Sequence, residues 1–435
     1  MATEAPSDRA RLRRVLGPLE VTASGVGIII GAGIYVLLGA ATSHAGNAVW
    51  MSFAVAAVLC GLTGLSYAEL ASMFPNAGAE YDYTRRVFPQ RLAFLVGWTM
   101  VVGLMIAAAA IAVGFAHYLR FFVSLPLGAT AVALLIFDTA IALAGIHRSA
   151  RLTVVLSALQ VAGLLVVIAI GATHLGSRSV TSDASVSGVM GGAALVFFAF
   201  IGFDEVITLA EETRDPTRTI PRALLAALGI SSVLYMAVAI AAVSVIGVDA
   251  LASSTRPLAD VMAHVLGGRA EAAVAVIALI TTTNTSLLAL TAASRLTYGM
   301  ADAGALPATA ATISRRNQVP AVAIVTVATG AIAFAAVGDL HLIASVTDFA
   351  VYVVFLAVNT AVIILRRRAP DTPRPFRTPG SIVGIPALPV AGSIAAIAMV
   401  PQLEIRALWL GAAWLLVGWI AGHFLDRAHP ARPPT

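Results

Sequence analysis

The chain has 435 residues, 59% of them hydrophobic and only 11% charged, with a formal net charge of +5 and a mean hydropathy of +0.92. A soluble globular domain carries roughly 25% charged residues, so the composition excludes a water-soluble protein and makes lipid the solvent. Cys60 is the single cysteine, which excludes an intrachain disulfide and a cysteine metal cluster.

The elements begin with a polar, arginine-rich tail over residues 1–21. It shows no small-residue cleavage site after a short apolar core, so it is expected to stay on the chain. Twelve helical spans are predicted beyond it, at 22–42, 48–74, 92–123, 127–146, 150–174, 188–211, 223–247, 269–300, 319–339, 341–366, 384–402 and 405–425. The longest apolar runs approach the roughly 20 residues that cross a bilayer. An even number of spans leaves both ends of the chain on one side. All the basic residues are arginine, and all but Arg120, Arg178, Arg256, Arg269 and Arg406 fall on the side of the termini. The positive-inside rule therefore places both termini in the cytoplasm. Arginines beside anionic lipid explain the net charge, so no nucleic-acid partner is implied. Without lysine, and with arginine holding its proton, no mechanism here rests on a titrating amine.

The first span contains "GVGIIIGAGIY", Gly25 to Tyr35, with four glycines within nine residues. Such a cluster is either a close helix–helix contact or a discontinuous helix whose freed backbone groups bind a ligand. The sixth span favours the second reading. In "FFAFIGFDE", Phe197 to Glu205, Gly202 precedes two acids inside an apolar stretch. A carboxylate at mid-bilayer costs about 2.5–3.5 kcal/mol on insertion scales, so Asp204 and Glu205 must face protein, water or ligand. Interrupted helices at corresponding places, one and six, are the mark of an inverted repeat of five helices each. The expected organisation is a first repeat over 22–174, a second over 175–366, two further helices over 367–425 and a tail over 426–435. Freed amides at half-helix ends suit a carboxylate, and freed carbonyls suit an ammonium. The guest carrying both on one carbon is an α-amino acid.

Four stretches carry a family resemblance: "GIIIGAGIYVLLG", "GAEYDYTRRVF", "FFAFIGFDEVITLAEETRDPTRTIPRALL" and "TTTNTSLLALTAASRLTYGMADAGALP". With them the chain resembles, over nearly its whole length, the amino acid–polyamine–organocation (APC) superfamily, and most nearly bacterial permeases close to the cationic amino acid transporter branch. The resemblance implies an all-α membrane protein of twelve helices. Ten form a five-plus-five inverted repeat with discontinuous helices one and six, and helices eleven and twelve are peripheral. It implies that a substrate carboxylate meets amides at Gly31, Ala32 and Gly33. The ammonium would meet carbonyls near Ile29 and on Phe198, Ala199 and Ile201, with Phe200 and Phe203 walling or gating the side-chain pocket. Proton-coupled relatives often carry a lysine in helix five, where "LSALQVAGLL" places Gln160. Members that take cationic amino acids often carry a glutamate in helix three, where "GWTMVVGL" places Gly103. Both departures favour a neutral, apolar substrate and weaken the lysine form of proton coupling.

Other polar residues have competing readings. Asp204 either couples transport or caps the second half of the broken helix. Glu205 points elsewhere on that helix and could meet a neighbour. Asp138 reads as a contact to an adjacent helix, and Glu69 and Asp348 as acids near helix ends where snorkelling relieves the cost. Thr281, Thr282, Thr283, Asn284 and Ser286 crowd the eighth span. In sodium-coupled members of this fold such hydroxyls help bind sodium, but they are also ordinary interhelical glue, and sodium is the weaker reading. Arg214, Arg218 and Arg222 could pair with Glu211 and Glu212 as a cytoplasmic gate, or simply set topology. The eight histidines form no i, i+4 pair, so no metal site is expected, and no cofactor.

The resulting expectation is a multi-pass transporter of neutral amino acids in a bacterial inner membrane, working by alternating access and not an enzyme. Proton symport, exchange and facilitated passage remain open. A polyamine or cationic amino acid carrier is the alternative. An ion channel would want a ring of like groups on symmetric subunits, which the inverted-repeat signature opposes.

Overall fold

The computed structural model describes residues 16–74, 79–145, 150–181, 185–314, 317–336, 339–382 and 384–428. Helix falls within each of the twelve expected segments. Among the described residues, nine helical segments are long and apolar enough to cross a membrane, and shorter apolar helices accompany them. The chain is thus an all-α, multi-pass membrane protein.

The first segment is split into α1, Pro18–Ile29, and α2, Ala32–Ala45. Helix α1 starts four residues before the expected boundary. Pro18 takes the first helical position, where its missing N–H costs nothing, and the Glu20 carboxylate accepts the Gly17 amide at 3.0 Å. Then come α3, Val49–Met73, and the short α4, Ala79–Arg85, which lies in a stretch expected to be a loop. Helices α5, Gln90–Leu119, α6, Leu127–Ala144, and α7, Ala150–Ala172, follow. Helix α8, Val186–Val196, runs into a 3-10 turn at Phe197–Phe200, a break at Ile201–Gly202, and a second 3-10 stretch at Phe203–Glu212. The second half of this broken segment is therefore wound more tightly than the α-helix the sequence suggests, and 3-10 runs of that length are uncommon.

Helices α9, Pro216–Ile246, α10, Val248–Ala252, and α11, Pro257–Leu266, lead to the 35-residue α12, Gly268–Asp302. Helices α13, Ala321–Ala335, and α14, Leu340–Arg368, precede a small antiparallel hairpin, β1, Ser381–Ile382, with β2, Ile385–Pro386. Helices α15, Ala387–Met399, and α16, Ile405–Ala428, close the chain.

Burial sorts the helices into centre and rim. The most apolar window of α5 is 89% buried, whereas that of α16 is 22% buried and that of α6 is 28% buried. In lipid an exposed apolar face has no cost, so α16 can present Trp409 and Phe424 outward. At the centre α5 packs on α12 and α14, α3 packs on α8 and α9, α1 packs on α9, and α2 packs on α8.

One polar cluster departs from expectation. Glu69 does not snorkel. It is 1% exposed and accepts from Arg366 Nε at 3.0 Å, from Arg366 Nη2 at 2.5 Å and from the Thr378 amide at 2.8 Å. Arg374 Nε lies 3.4 Å from it. This pairs α3 with the end of α14 and pins the chain that follows. Asp348 on α14 is also fully buried, and its carboxyl oxygens have no hydrogen-bond partner among the described residues.

Candidate functional site

The two breaks meet each other. In the first, the Ile30 amide donates to Val26 (2.8 Å) and the Gly31 amide turns back to Ile29 (2.7 Å). Gly31 is extended, with φ −97° and ψ −155°, so any residue could adopt its backbone. What demands glycine here is proximity. A Cβ on Gly31 would sit 2.8 Å from Thr285 Cγ2, and one on Gly33 would overlap the Ala199 Cα and sit 2.6 Å from the Ala199 Cβ. Gly202 is different: its φ of +105° lies in the left-handed region that side chains avoid.

The start of α2 carries no side-chain cap. The amides of Ala32 and Gly33 therefore stand at the positive end of a 14-residue helix, as first-turn amides that helix geometry leaves unpaired. The Gly31 amide, expected to join them, is spent in the turn to Ile29.

Hydroxyl and amide groups tie the breaks together. Tyr235 of α9 places its hydroxyl 2.6 Å from the Ile29 carbonyl and 3.0 Å from the Ala199 carbonyl, with one proton to share between both breaks. Its ring packs edge-on against Phe200 at 5.2 Å and tilted against Phe53 at 5.7 Å. Tyr118 donates to the Tyr35 carbonyl at 2.7 Å. Gln160 of α7, with its amide nitrogen turned toward α1, donates to the carbonyls of Ile30 (2.9 Å) and Gly27 (3.2 Å). A neutral amide thus serves the carbonyls at the end of α1.

A cavity opens between the breaks, α5 and α12. Ile29, Gly31, Ala32, Gly33, Phe198, Ala199 and Ile201 line it, as do Gly202 and Glu205. Leu104, Ala107 and Ile111 of α5, with Thr285, Leu288 and Ala289 of α12, complete the wall. Phe200 and Phe203 are not part of that lining. They are buried behind it, Phe200 on Tyr235 and Phe203 on Tyr67 (5.4 Å) and Phe355 (5.6 Å). Gly103 faces α14, where a Cβ would meet Ala350 at 3.1 Å. The hydroxyl of Thr282 donates to the Ala278 carbonyl at 2.8 Å, within its own helix.

The two acids after Gly202 diverge. Glu205 lines the cavity. Asp204 is not part of the cavity lining, is 6% exposed, and its charge acts on Glu80 of α4. Glu80 is 3% exposed and accepts the Tyr67 hydroxyl at 3.0 Å. Burial first, and then the charge of Asp204, push the Glu80 carboxyl above the usual carboxylate range. Asp138 is buried on α6, away from the cavity lining. Of the proposed gate, Arg218 approaches Asp215 at 4.0 Å on an exposed surface, and the Glu211 side chain lies outside the described residues. Leu16 instead hydrogen-bonds Glu212 and Arg214 through the backbone, fastening the start of the chain beside that loop.

Sequence reasoning did not single out Tyr235, Thr285 or Glu80. Tyr235 and Thr285 look like ordinary polar residues in apolar spans. Glu80 lies in an apparent loop, 124 positions from its partner.

Comparison with known proteins matches residues 16–421 to the family described as "Amino acid permease". The branched-chain amino acid permease BcaP of Bacillus subtilis is 29% identical over 98% of this chain and 96% of its own length. The methylthioribose transporter of the same organism is 28% identical over 98% and 96%. The vacuolar cationic amino acid transporter 4 of Arabidopsis thaliana is 31% identical, over 83% of this chain and 64% of its own length. These relatives are transporters, and the chain belongs to the amino acid permease family within the APC superfamily.

Proposed function

We propose that the protein carries neutral, apolar L-amino acids across a bacterial plasma membrane by alternating access, with both termini in the cytoplasm. The observation that carries this reading is the cavity between the two breaks: backbone polar groups at one end, aliphatic side chains of α5 and α12 around the rest. The substrate carboxylate is received by the Ala32 and Gly33 amides at the positive end of α2. Carbonyls of Phe198 and Ile201 at the second break receive the ammonium. The Ile29 carbonyl already accepts from Tyr235 and from the Gly31 amide, and the Ala199 carbonyl from Tyr235, so Ala199 contributes through its second lone pair and Ile29 by exchange of donors. Leu104, Ala107, Ile111 and Leu288 surround an aliphatic side chain. The branched-chain specificity in the name of the BcaP relative supports the same substrate class.

Twelve spans arranged as a five-plus-five inverted repeat over 22–174 and 175–366, with 367–425 at the edge, fit the packing. The contact of α1 with α9 and that of α3 with α8 are the pairs such a symmetry would relate.

One observation favours a second reading. Glu205 in the cavity wall would suit a cationic side chain or a polyamine. The side chains of α5 and α12 around the rest of the cavity are mostly aliphatic, which supports the neutral substrate. Thermal stabilisation of the purified protein by leucine, leucinamide, arginine and putrescine separates the readings. A ligand that binds only the folded state raises its stability. Leucine alone is expected to act; stabilisation by arginine or putrescine but not by leucine would overturn the neutral assignment.

A further inference from the structure

Helix α14 carries polar side chains at Ser345, Asp348, Tyr352, Asn359 and Arg366. Steps of three, four, seven and seven residues put all five on one face of the helix. Helix α3 satisfies the last two. Asn359 donates to the Thr63 hydroxyl at 3.0 Å and accepts from Ser66 at 2.6 Å, and Arg366 is held by Glu69. The first three are buried as well. Both carboxyl oxygens of Asp348 and the hydroxyl of Tyr352 have no hydrogen-bond partner among the described residues. No ion pair among those residues reaches Asp348.

A carboxylate taken out of water needs a positive charge or a proton beside it. The groups on this face decide between the two. Two carboxylate oxygens, the Tyr352 hydroxyl and the Ser345 hydroxyl stand on successive turns, and all are oxygens with lone pairs to give. One proton would satisfy the carboxyl and leave the hydroxyls as they are. A hard cation draws on all of them, and a single negative charge balances a single positive one.

We propose that Ser345, Asp348 and Tyr352 form a site for a hard monovalent metal cation, sodium, with water completing its shell. The site lies apart from the cavity, whose lining includes no residue of α14. One ring joins the two. Tyr352 packs 4.5 Å from Phe197, the first residue of the 3-10 turn that breaks the sixth segment, and the adjoining Phe198 and Ala199 line the cavity. Drawing the Tyr352 oxygen onto the cation fixes that ring and, through it, Phe197. The link to substrate rests on the transport reading above: the cation readies the breaks for the amino acid, so each ligand raises the affinity for the other by the same factor. The hydroxyls of α12, where the sequence suggests sodium, make a weaker set. That helix has no acid between Glu271 and Asp302, and Thr282, Thr283 and Thr285 bond back to their own helix.

The test uses the purified full chain in detergent, without amino acid, with sodium chloride exchanged for choline chloride at constant ionic strength. Sodium is expected to raise the unfolding temperature in a saturable way. Asp348→Asn should lose the response, and Asp249→Asn, a change on the exposed surface, should keep it. No saturable sodium effect on the wild type, or an equal effect on Asp348→Asn, overturns the proposal. So does a protein indifferent to sodium that acid stabilises through Asp348, which would make the carboxyl a proton site. If Asp348→Asn does not fold, Tyr352→Phe serves. It keeps the ring on Phe197, and its apparent sodium affinity must fall by about tenfold or more; an unchanged affinity overturns the proposal. Equilibrium leucine binding then tests the link. Leucine affinity should rise with sodium in the wild type and not in Asp348→Asn, and binding indifferent to sodium refutes the coupling through Phe197. A sodium response in a protein that ignores leucine upholds the cation site while refuting the neutral amino acid substrate.

Discussion

Removing one oxygen atom tests whether the two breaks act as a unit. In Tyr235→Phe the ring and its contacts with Phe200 and Phe53 persist, while the hydroxyl at 2.6 Å from Ile29 and 3.0 Å from Ala199 is lost. Tyr235 is fully buried, so water does not readily replace it. Loss of a donor to buried carbonyls costs about 1–3 kcal/mol. The Ile29 carbonyl keeps the Gly31 amide as a second donor, which places the expected loss toward the lower end, about 1.4 kcal/mol, or one factor of ten in an equilibrium. If the joined breaks are the form that binds substrate, leucine affinity falls by about the same factor. The assay is chemical unfolding of the purified protein in detergent beside equilibrium leucine binding. Unchanged unfolding together with unchanged affinity would refute the claim that this hydroxyl holds the breaks in their binding arrangement.

Three further substitutions probe the same frame. Gly33→Ala drives a methyl into the Ala199 Cα and to 2.6 Å from its Cβ, so the two breaks must part; it should cost about 3 kcal/mol as overpacking while abolishing leucine binding, read by thermal stabilisation. Gln160→Leu deprives the Gly27 and Ile30 carbonyls of their donor; a stability loss of about 1–3 kcal/mol is expected in the unfolding midpoint. Arg366→Met leaves the buried Glu69 without its two-pronged partner and should destabilise by about 3–5 kcal/mol, with protease cleavage appearing between residues 369 and 386 as that segment loosens.

Much of the arrangement is legible in the sequence where it violates the rules of hydrocarbon. Gly31, Gly33 and Gly202, followed by two acids, have no place in an unbroken span, and the structure breaks both segments there. The reasons are not all as read. Gly31 and Gly33 answer to crowding by Thr285 and Ala199, which a sequence cannot display, and only Gly202 answers to backbone conformation. Long-range partners stay hidden. Glu69 reads as an acid that can snorkel because Arg366 is 297 positions away. Asp204 reads as a cap or a coupling group because its partner sits on α4, a seven-residue helix with no apolar periodicity to announce it. Gln160 reads as a missing charge, and the structure makes it a donor to the broken helix. Tyr235 looks like packing, since nothing local distinguishes a hydroxyl that meets two breaks from one that meets none.

The central claim is that the cavity between the breaks takes the carboxylate of a neutral amino acid on the Ala32 and Gly33 amides. The most direct measurement compares binding of leucine and leucinamide to the wild type and to Gly31→Val, whose side chain would crowd Thr285 beside those amides. The account predicts that leucine stabilises the wild type, that leucinamide does not, and that folded Gly31→Val responds to neither. Equal stabilisation by leucine and its amide, or full leucine binding by Gly31→Val, would contradict it.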